Sequence, residues 1–501
     1  MLPKQPHGVN TEVRRTTLRA AWALLGVILI VQVCSHIWLQ TASAHSGQVA
    51  IPWMMNRGHV LFADLLEQHA PLSSVLAAVA QQVLPLSPLQ VARALNLTVV
   101  LAITLLVFSI GLRVAGPVAA IGAALAWFWW EPVYANVLFY FDTLVGLIVT
   151  AALAAYLALR GRSLPAAAFL CGLLMGLATL AKQHAWLAAA LFALYGLRLY
   201  GRAWLPYLAG AAILPGILVG WMIAQHTLDA YVYWNWTFNF SGLMDSSMPD
   251  GEFIRKWLLC AAMLPGFLLL APRRGRDWVL IGLLWLATMV TMLPRFSLSH
   301  VTAQLPMLAL ASGLTLAALA AGAPRSFSAW RSSIRDRNPQ SLILAGLLAV
   351  VLAGALYTGV AARLPSPLGR GLYPGYDEFN ALAEDLRQQA SAGDTVFVLP
   401  ELDSTPQIHV LAEMMPPGTW VKGWRWYLRA PAVVDTLLRE WTITPPTFVV
   451  VFPEFADAAQ PEIQPLLAFV AARYTETARI ADVLFHGDAL IYRLADDAPA
   501  G

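Results

Sequence analysis

The sequence predicts an α-helical polytopic membrane protein of about eleven transmembrane helices, followed by a small soluble α/β domain. Apolar runs of roughly twenty residues, the length that crosses a bilayer core, recur from residue 20 to residue 362. The whole chain is 58% hydrophobic and only 12% charged, with a mean hydropathy of +0.61. Beyond residue 363 the pattern changes, and short helical and β-like periods alternate. The expected division is a membrane domain over 1–363, with a first outer loop at 41–88, and an extracytoplasmic α/β domain over 364–501.

The predicted spans lie near 20–40, 89–112, 116–134, 138–158, 164–181, 184–200, 204–225, 254–271, 277–293, 300–322 and 341–362. The first follows Arg14, Arg15 and Arg19, but it is too long for a signal-peptide core and lacks a cleavage site, so it is expected to stay as an anchor. Basic residues then fall in alternate loops: Arg113; Arg160 and Arg162; Arg198 and Arg202; Arg273, Arg274 and Arg276; and Arg325, Arg331, Arg335 and Arg337. With the N-terminal bases that gives about sixteen on one side against about six on the other, which places the N-terminus in the cytoplasm. The implied setting is a bacterial inner or plasma membrane.

Acids follow the opposite rule. Asp64, Glu67, Glu131, Asp142, Asp229, Asp245, Asp250 and Glu252 all fall in outer loops or at outer helix ends, while Glu12, Asp277 and Asp336 lie inside. Acids contribute little to topology, so their collection on one side calls for a second reason, and a shared polar site on the outer face supplies one. The three cysteines, Cys34, Cys171 and Cys260, sit in apolar segments, which argues against a disulfide framework. From Leu364 onward there are eighteen acids and nine bases, so the net charge of +3 conceals a positive membrane part. Its basic residues lie between helices and are explained by topology, which removes nucleic acid as the implied partner.

After the last span comes LPSPLGRGLYPGY, a Pro/Gly-rich linker. Helical patterns at 376–391, 431–441 and 460–472 then alternate with β-like TVFVL (395–399) and TFVVVF (447–452), and ADVLF (481–485) with ALIYRL (489–494) is expected to close the sheet.

Chemistry is expected first in RGHVLFADLLEQHAPL, residues 57–72, where a base, two acids and two histidines interrupt apolar runs. A helical LFADLLEQ puts Asp64 and Glu67, three apart, on one face with Gln68, and His69 close by. A carboxylate so placed suits a general base or a metal ligand; a surface-lying amphipathic helix explains the same pattern. WEPVYANVLFYFDTL sets Glu131 and Asp142 at the two ends of the second outer loop, and TLAKQHAWL puts Lys182, Gln183 and His184 in a very short third one. Such residues serve either as interfacial anchors or as site residues. YVYWNWTFNFSGLMD, rich in aromatics and amides, fits either an interfacial belt or a surface for sugar rings and lipid chains. LPRFSLSHVTAQLP offers Arg295 and His300, and a guanidinium matches phosphate oxygens in bidentate fashion. There is no strand–GxGxxG–helix unit, no P-loop and no HExxH, so a soluble nucleotide-activated donor has no recognisable cradle.

The segments NRGHVLFADLLEQHAPL, VARALNLTVV, FDTLVGL, GLATLAKQHAWL and PRFSLSHVTAQLP, in that order, resemble the GT-C class of polytopic membrane glycosyltransferases, of the glycosyltransferase family 39, protein O-mannosyltransferase and aminoarabinose transferase kind. The resemblance covers most of the membrane part, and the α/β tail resembles that class as well. It implies inverting transfer of a sugar from a polyprenyl-phosphate carrier to a lipid, glycan or protein acceptor in an outward-facing cavity. The class carries an Asp-Glu pair soon after the first span; this chain instead reads SAHSGQVAIPW there, with His45, Ser46 and Gln48 and no acid. Asp64 matches a later acidic position of the same loop.

The implied assignment makes Asp64 the general base, with Glu67 and His69 supporting it or binding metal. Lys182, Arg295 and His300 would hold the carrier phosphate, Asp142 would orient an acceptor or Lys182, and Gln183 would bind substrate. Carboxylates and phosphate oxygens suit Mg²⁺ or Mn²⁺, so a divalent cation is an allowed cofactor, although spacing defines no ligand set. Two other classes compete: a glycolipid transporter or flippase, whose binding groups belong near the midplane on broken helices, and a non-catalytic membrane scaffold.

Overall fold

The computed structural model describes residues 11–38, 47–134, 139–243, 248–292, 296–322, 379–400, 405–422, 425–456, 461–481, 483 and 487–495. The membrane part contains α1 (Thr11–Trp38), α2 (Gly47–Met55), the two-residue strand β1 (Leu65–Leu66), α3 (Leu72–Val83), α4 (Pro88–Ala115), α5 (Pro117–Tyr134), α6 (Phe141–Leu159), α7 (Leu164–Ala181), α8 (Ala185–Tyr200), α9 (Pro206–Ala224), α10 (Leu228–Val232), α11 (Gly251–Ala261), α12 (Leu264–Arg274), α13 (Arg276–Met289) and α14 (Leu305–Gly322). Helix starts follow local chemistry. Ser87 caps α4 through the Gln90 amide while the Gln90 side chain accepts from the Ser87 N–H, and Pro88 occupies the first turn, where its missing N–H costs nothing.

Among the described residues, six helical stretches are long and apolar enough to cross a membrane: Arg15–Ile37, Pro88–Ala115, Phe141–Leu159, Leu164–Ala181, Pro206–Ala224 and Gly251–Arg274. The chain is an integral membrane protein. The last of these stretches, expected as one span at 254–271, is broken at Ala262 and Met263, because Pro265 would drive its ring into the carbonyl four residues back. Pro306 likewise separates a 3₁₀ turn, Leu298–Ala303, from α14. The expected span at 341–362 and the linker at 364–376 lie outside the described residues. α7 and α9 touch backbone to backbone: a Cβ on Gly172 would lie 2.0 Å from the Tyr207 carbonyl oxygen, and one on Gly210 would lie 2.2 Å from that of Phe169. Close approach through small residues is how apolar helices associate where lipid is as apolar as they are.

The tail holds α15 (Asn380–Gln389), β2 (Val396–Leu399), α16 (Gln407–Ala412), β3 (Trp420–Val421), α17 (Arg425–Leu428), α18 (Val433–Ile443), β4 (Phe448–Val451), α19 (Gln464–Arg473), β5 (Tyr474–Ile480) and β6 (Ala489–Leu494). Its sheet runs β2-β4-β6-β5, with β2 and β4 parallel and the other pairs antiparallel. The expected closing strand at 481–485 is displaced. β6 pairs instead with Tyr474–Ile480, an edge strand whose mostly polar sequence hides it from a hydrophobicity reading, while most of 481–485 lies outside the described residues.

The tail is not a separate bead. β1, in the first long loop, pairs in parallel with β3 of the tail, Leu65 opposite Trp420 and Leu66 opposite Val421. Trp53, Phe62, Leu65, Met222 and Trp420 form one apolar cluster around this junction. Trp234 and Phe238, from the aromatic loop after α10, pack within 5.5 Å of the Tyr427 ring, in the core on one side of the tail sheet. Three segments distant in sequence therefore form a single roof over one end of the helix bundle.

Candidate active site

Under that roof lie two buried ion pairs. The first begins where β1 ends. Glu67 is 1% exposed, and its Oε1 receives hydrogen bonds from the His69 ring Nδ1 at 2.5 Å and from the His69 backbone N–H at 3.1 Å. Its Oε2 accepts from Lys422 Nζ of the tail at 3.1 Å. The second pair joins helix ends. Asp142 lies in the first turn of α6, and Lys182, the residue that closes α7, donates from Nζ to both of its oxygens at 3.0 and 2.8 Å. Each charge sits at the helix end whose dipole favours it, the acid at an N-terminus and the base at a C-terminus.

The two pairs are stitched together. The His69 ring stacks on Phe141, the neighbour of Asp142, with centroids 3.9 Å apart and planes within 15°. The peptide between Glu67 and His69 is held from three directions: the Gln68 carbonyl accepts from Gln183 Nε2 at 3.3 Å and from Asn239 Nδ2 at 3.0 Å, and the Gln68 N–H donates to the Tyr427 hydroxyl at 3.1 Å. Gln68 Oε1, Gln183 Oε1, His184 Nδ1 and both amide atoms of Asn235 are buried without a hydrogen-bond partner among the described residues. Buried polar atoms are normally paired, so such a concentration marks a place that a polar ligand or ordered water completes.

The charges fix protonation. Burial alone would raise the Glu67 carboxyl, but the Lys422 ammonium and His69 outweigh it and hold the group below the usual carboxylate range. For His69 burial dominates: it lowers the imidazole, Glu67 pulls the other way, and Lys422 and Lys182 add to the lowering. Burial, with Glu67 behind it, pushes the Tyr427 phenol well above its ordinary value. The lowering of His69 favours its neutral form near pH 7. An ionised partner at Nδ1 assigns the ring proton to that nitrogen and leaves the Nε2 lone pair open.

Of the residues expected from sequence, Glu67, His69, Asp142, Lys182 and Gln183 come together. His300 lies on the 3₁₀ turn that packs on α6 at Gly146, one helical turn beyond Asp142. Arg295 lies outside the described residues, as do His45 and Ser46. Gln48 is fully buried in α2.

Asp64 is placed differently. LFADLLEQ is not a helix: Phe62 has φ +72°, the chain turns, and the Asp64 carbonyl accepts from the Trp420 N–H at 2.8 Å as the loop engages the tail. The Asp64 carboxylate accepts from the Val60 N–H at 2.7 Å, so it closes its own turn and does not share a helical face with Glu67. Lys422 and Tyr427 were not singled out from sequence, and Asn235 and Asn239 entered only as amides of the stretch YVYWNWTFNFSGLMD. Lys422 is one base among nine in the tail, and a two-residue strand carries no periodicity that would have aligned it with Glu67.

No group of three His, Cys, Asp or Glu side chains suited to a metal ion occurs among the described residues. Both Glu67 oxygens face donors on His69 and Lys422, and both Asp142 oxygens face Lys182. This donor set does not fit Mg²⁺ or Mn²⁺.

The sequence matches no protein-family profile and no curated relative. Solved structures do match. ArnT from Cupriavidus metallidurans in the apo state aligns over 96% of this chain and 99% of its own, with TM-score 0.65 and 14% identity. The same protein bound to undecaprenyl phosphate gives 0.61 and 16% over the same shares. The oligosaccharyltransferase AglB from Archaeoglobus fulgidus, in complex with an inhibitory peptide and a dolichol-phosphate, aligns over 95% of this chain and 75% of its own, with TM-score 0.56 and 12% identity. The fold is that of the GT-C membrane glycosyltransferases. In this chain the buried pairs occupy the end of the bundle that the tail covers.

Proposed function

We propose that the protein transfers a sugar from a polyprenyl-phosphate-linked donor to a lipid, glycan or protein acceptor. One observation carries this reading: a histidine whose ring Nδ1 is held by a buried glutamate lies beside a buried lysine at the convergence of two helix ends and a loop. The fold similarity to ArnT, solved bound to undecaprenyl phosphate, and to AglB, solved in complex with a dolichol-phosphate, supports the lipid-borne donor.

His69, not Asp64, is the general base in this reading. The acceptor hydroxyl attacks the anomeric carbon on the face opposite the phosphate. The bond from that carbon to the carrier oxygen breaks, its electron pair leaves with the carrier phosphate, and the hydroxyl proton passes to His69 Nε2. Glu67 holds the imidazole in the required tautomer and stabilises the imidazolium that forms. Lys182, aimed by Asp142, offers its positive charge to the phosphate as negative charge develops there. Arg295 and His300 remain candidates for the same phosphate.

The orientation belongs to this proposal too: about eleven spans, a cytoplasmic N-terminus, and the site with its tail on the outer face, supported by the one-sided distribution of arginines. Purified protein offered a panel of polyprenyl-phosphate sugars should release carrier phosphate, and His69→Gln should abolish most of that release. A wild type that releases none from any donor, yet moves a labelled glycolipid between leaflets, is a transporter. A cysteine placed in the tail should react with an impermeant reagent from the outer side; reaction only from the cytoplasm reverses the topology.

A further inference from the structure

We propose that the soluble tail is part of the active site, with Lys422 and Tyr427 as positioning residues that hold the Glu67–His69 pair in its base-competent form. The proposal rests on the reading of His69 as the base.

Register is the first observation. β1 and β3 pair in parallel, Leu65 with Trp420 and Leu66 with Val421, and the next residues along the two strands are Glu67 and Lys422. Extending the ladder by one position brings carboxylate and ammonium opposite each other, and Lys422 Nζ lies 3.1 Å from Glu67 Oε2. A two-residue strand is too short to stabilise a domain interface by itself. Its effect is geometric: it fixes which tail residue faces Glu67, since a slip of one position would turn Lys422 to the other face.

The second observation is the Gln68 peptide. Its N–H is held by Tyr427, five residues after Lys422 and on the adjoining helix α17. Tyr427 is itself fixed by Trp234 and Phe238 from the loop after α10, and the following Asn239 holds the Gln68 carbonyl. The base pair is therefore gripped at its carboxylate and at its backbone by residues remote from it in sequence. Lys422 is 6% exposed and Glu67 1%, so removing the tail's charge leaves an acid with little water to replace it.

The third is the charge balance around the imidazole. The groups facing it are Glu67 from its own loop, Lys422 from the tail, Lys182 and His184 between α7 and α8, and Asp142 behind Lys182, while Tyr427 faces Glu67. Lys422 opposes protonation of His69, so a tail without that charge makes the base easier to protonate.

The test uses the full chain in detergent with ring-¹⁵N histidine, the His69 signal being the one lost in His69→Gln. Wild-type His69 is expected as the Nδ1–H tautomer with a titration midpoint below the ordinary histidine value. Lys422→Met should raise that midpoint by about one pH unit, and the acid limb of turnover should move with it. Lys422→Gln, which keeps a donor for Glu67 without the charge, should shift both in the same direction, and Lys422→Arg should restore them. Tyr427→Phe should lower kcat with little change in KM for the donor. A correctly folded Lys422→Gln that titrates like wild type, with an unmoved acid limb, overturns the positioning role. A wild type that releases no carrier phosphate overturns the transferase reading alone, because the titration is read without turnover.

Discussion

The two ends of α6 carry ion pairs that look alike in sequence and differ in kind. At its start Asp142 meets Lys182, with side chains 0% and 5% exposed. At its finish Arg160 meets Asp277 in a bidentate pair, with side chains 31% and 23% exposed. Both obey the same helix-end electrostatics, because Arg160 closes α6 and Asp277 sits in the first turn of α13. Their surroundings separate them. The Arg160 guanidinium lies 4.8 Å from the Tyr156 ring, the Tyr156 hydroxyl meets that of Tyr200 at 2.7 Å, and Phe192 and Trp204 pack around that ring. That end is a brace, filled by aromatic side chains. The Asp142 end adjoins amide atoms and a ring nitrogen, His184 Nδ1, that have no hydrogen-bond partner among the described residues, and a second buried acid, Glu67. An ion pair marks a site when polar capacity is left over around it; a pair whose neighbours fill the space is architecture.

The distinction can be broken by mutation. The largest effect is expected at the base: His69→Gln should slow carrier-phosphate release about a thousandfold, measured with radiolabelled donor. In the proposed mechanism the active form is neutral His69, so activity should be lost as pH falls through a midpoint below the ordinary histidine value of about 6.5. A limb centred well above that value would show that burial does not govern the imidazole.

Next comes Lys182→Met, which leaves Asp142 buried and unpaired. Stability should fall by about 3 to 5 kcal/mol and the rate by about a hundredfold. Lys182→Met with Asp142→Asn should recover much of the stability and none of the rate; recovery of both would make the pair a brace after all. At the other end Arg160→Met should cost about 1 kcal/mol, seen as a small drop in melting temperature in detergent, with turnover within about twofold of wild type. An Arg160→Met variant as inactive as Lys182→Met would erase the contrast. The smallest effect is expected for Asp64→Asn, whose amide oxygen still accepts from Val60; turnover should change by less than about threefold.

Much of the scaffold was legible because it is local. The expected span at 164–181 is α7 residue for residue, and the strand read from ALIYRL is β6. Glu67, His69, Asp142, Lys182 and Gln183 were legible as polar residues where apolar runs stop, since nothing else in a membrane helix end requires that many. What sequence did not disclose is what depends on distant contact. Phe62 at positive φ and the pairing of Asp64 with Trp420 turn a stretch with helical spacing into a turn, which is why the base proposed here is His69 and not Asp64. Lys422 became visible only once two-residue strands from opposite ends of the chain were found side by side.

That pairing has a consequence in the time of synthesis. Glu67 and Lys422 are 355 residues apart, so at about 5 to 20 residues per second the ribosome delivers the lysine roughly 20 to 70 seconds after the glutamate. Throughout that interval the helix bundle can insert and pack while its acid has no tail cation to meet. The end of the molecule that holds the two buried pairs is therefore completed last, and a nascent chain stalled before Trp420 would be a folded membrane bundle without the Glu67–Lys422 contact.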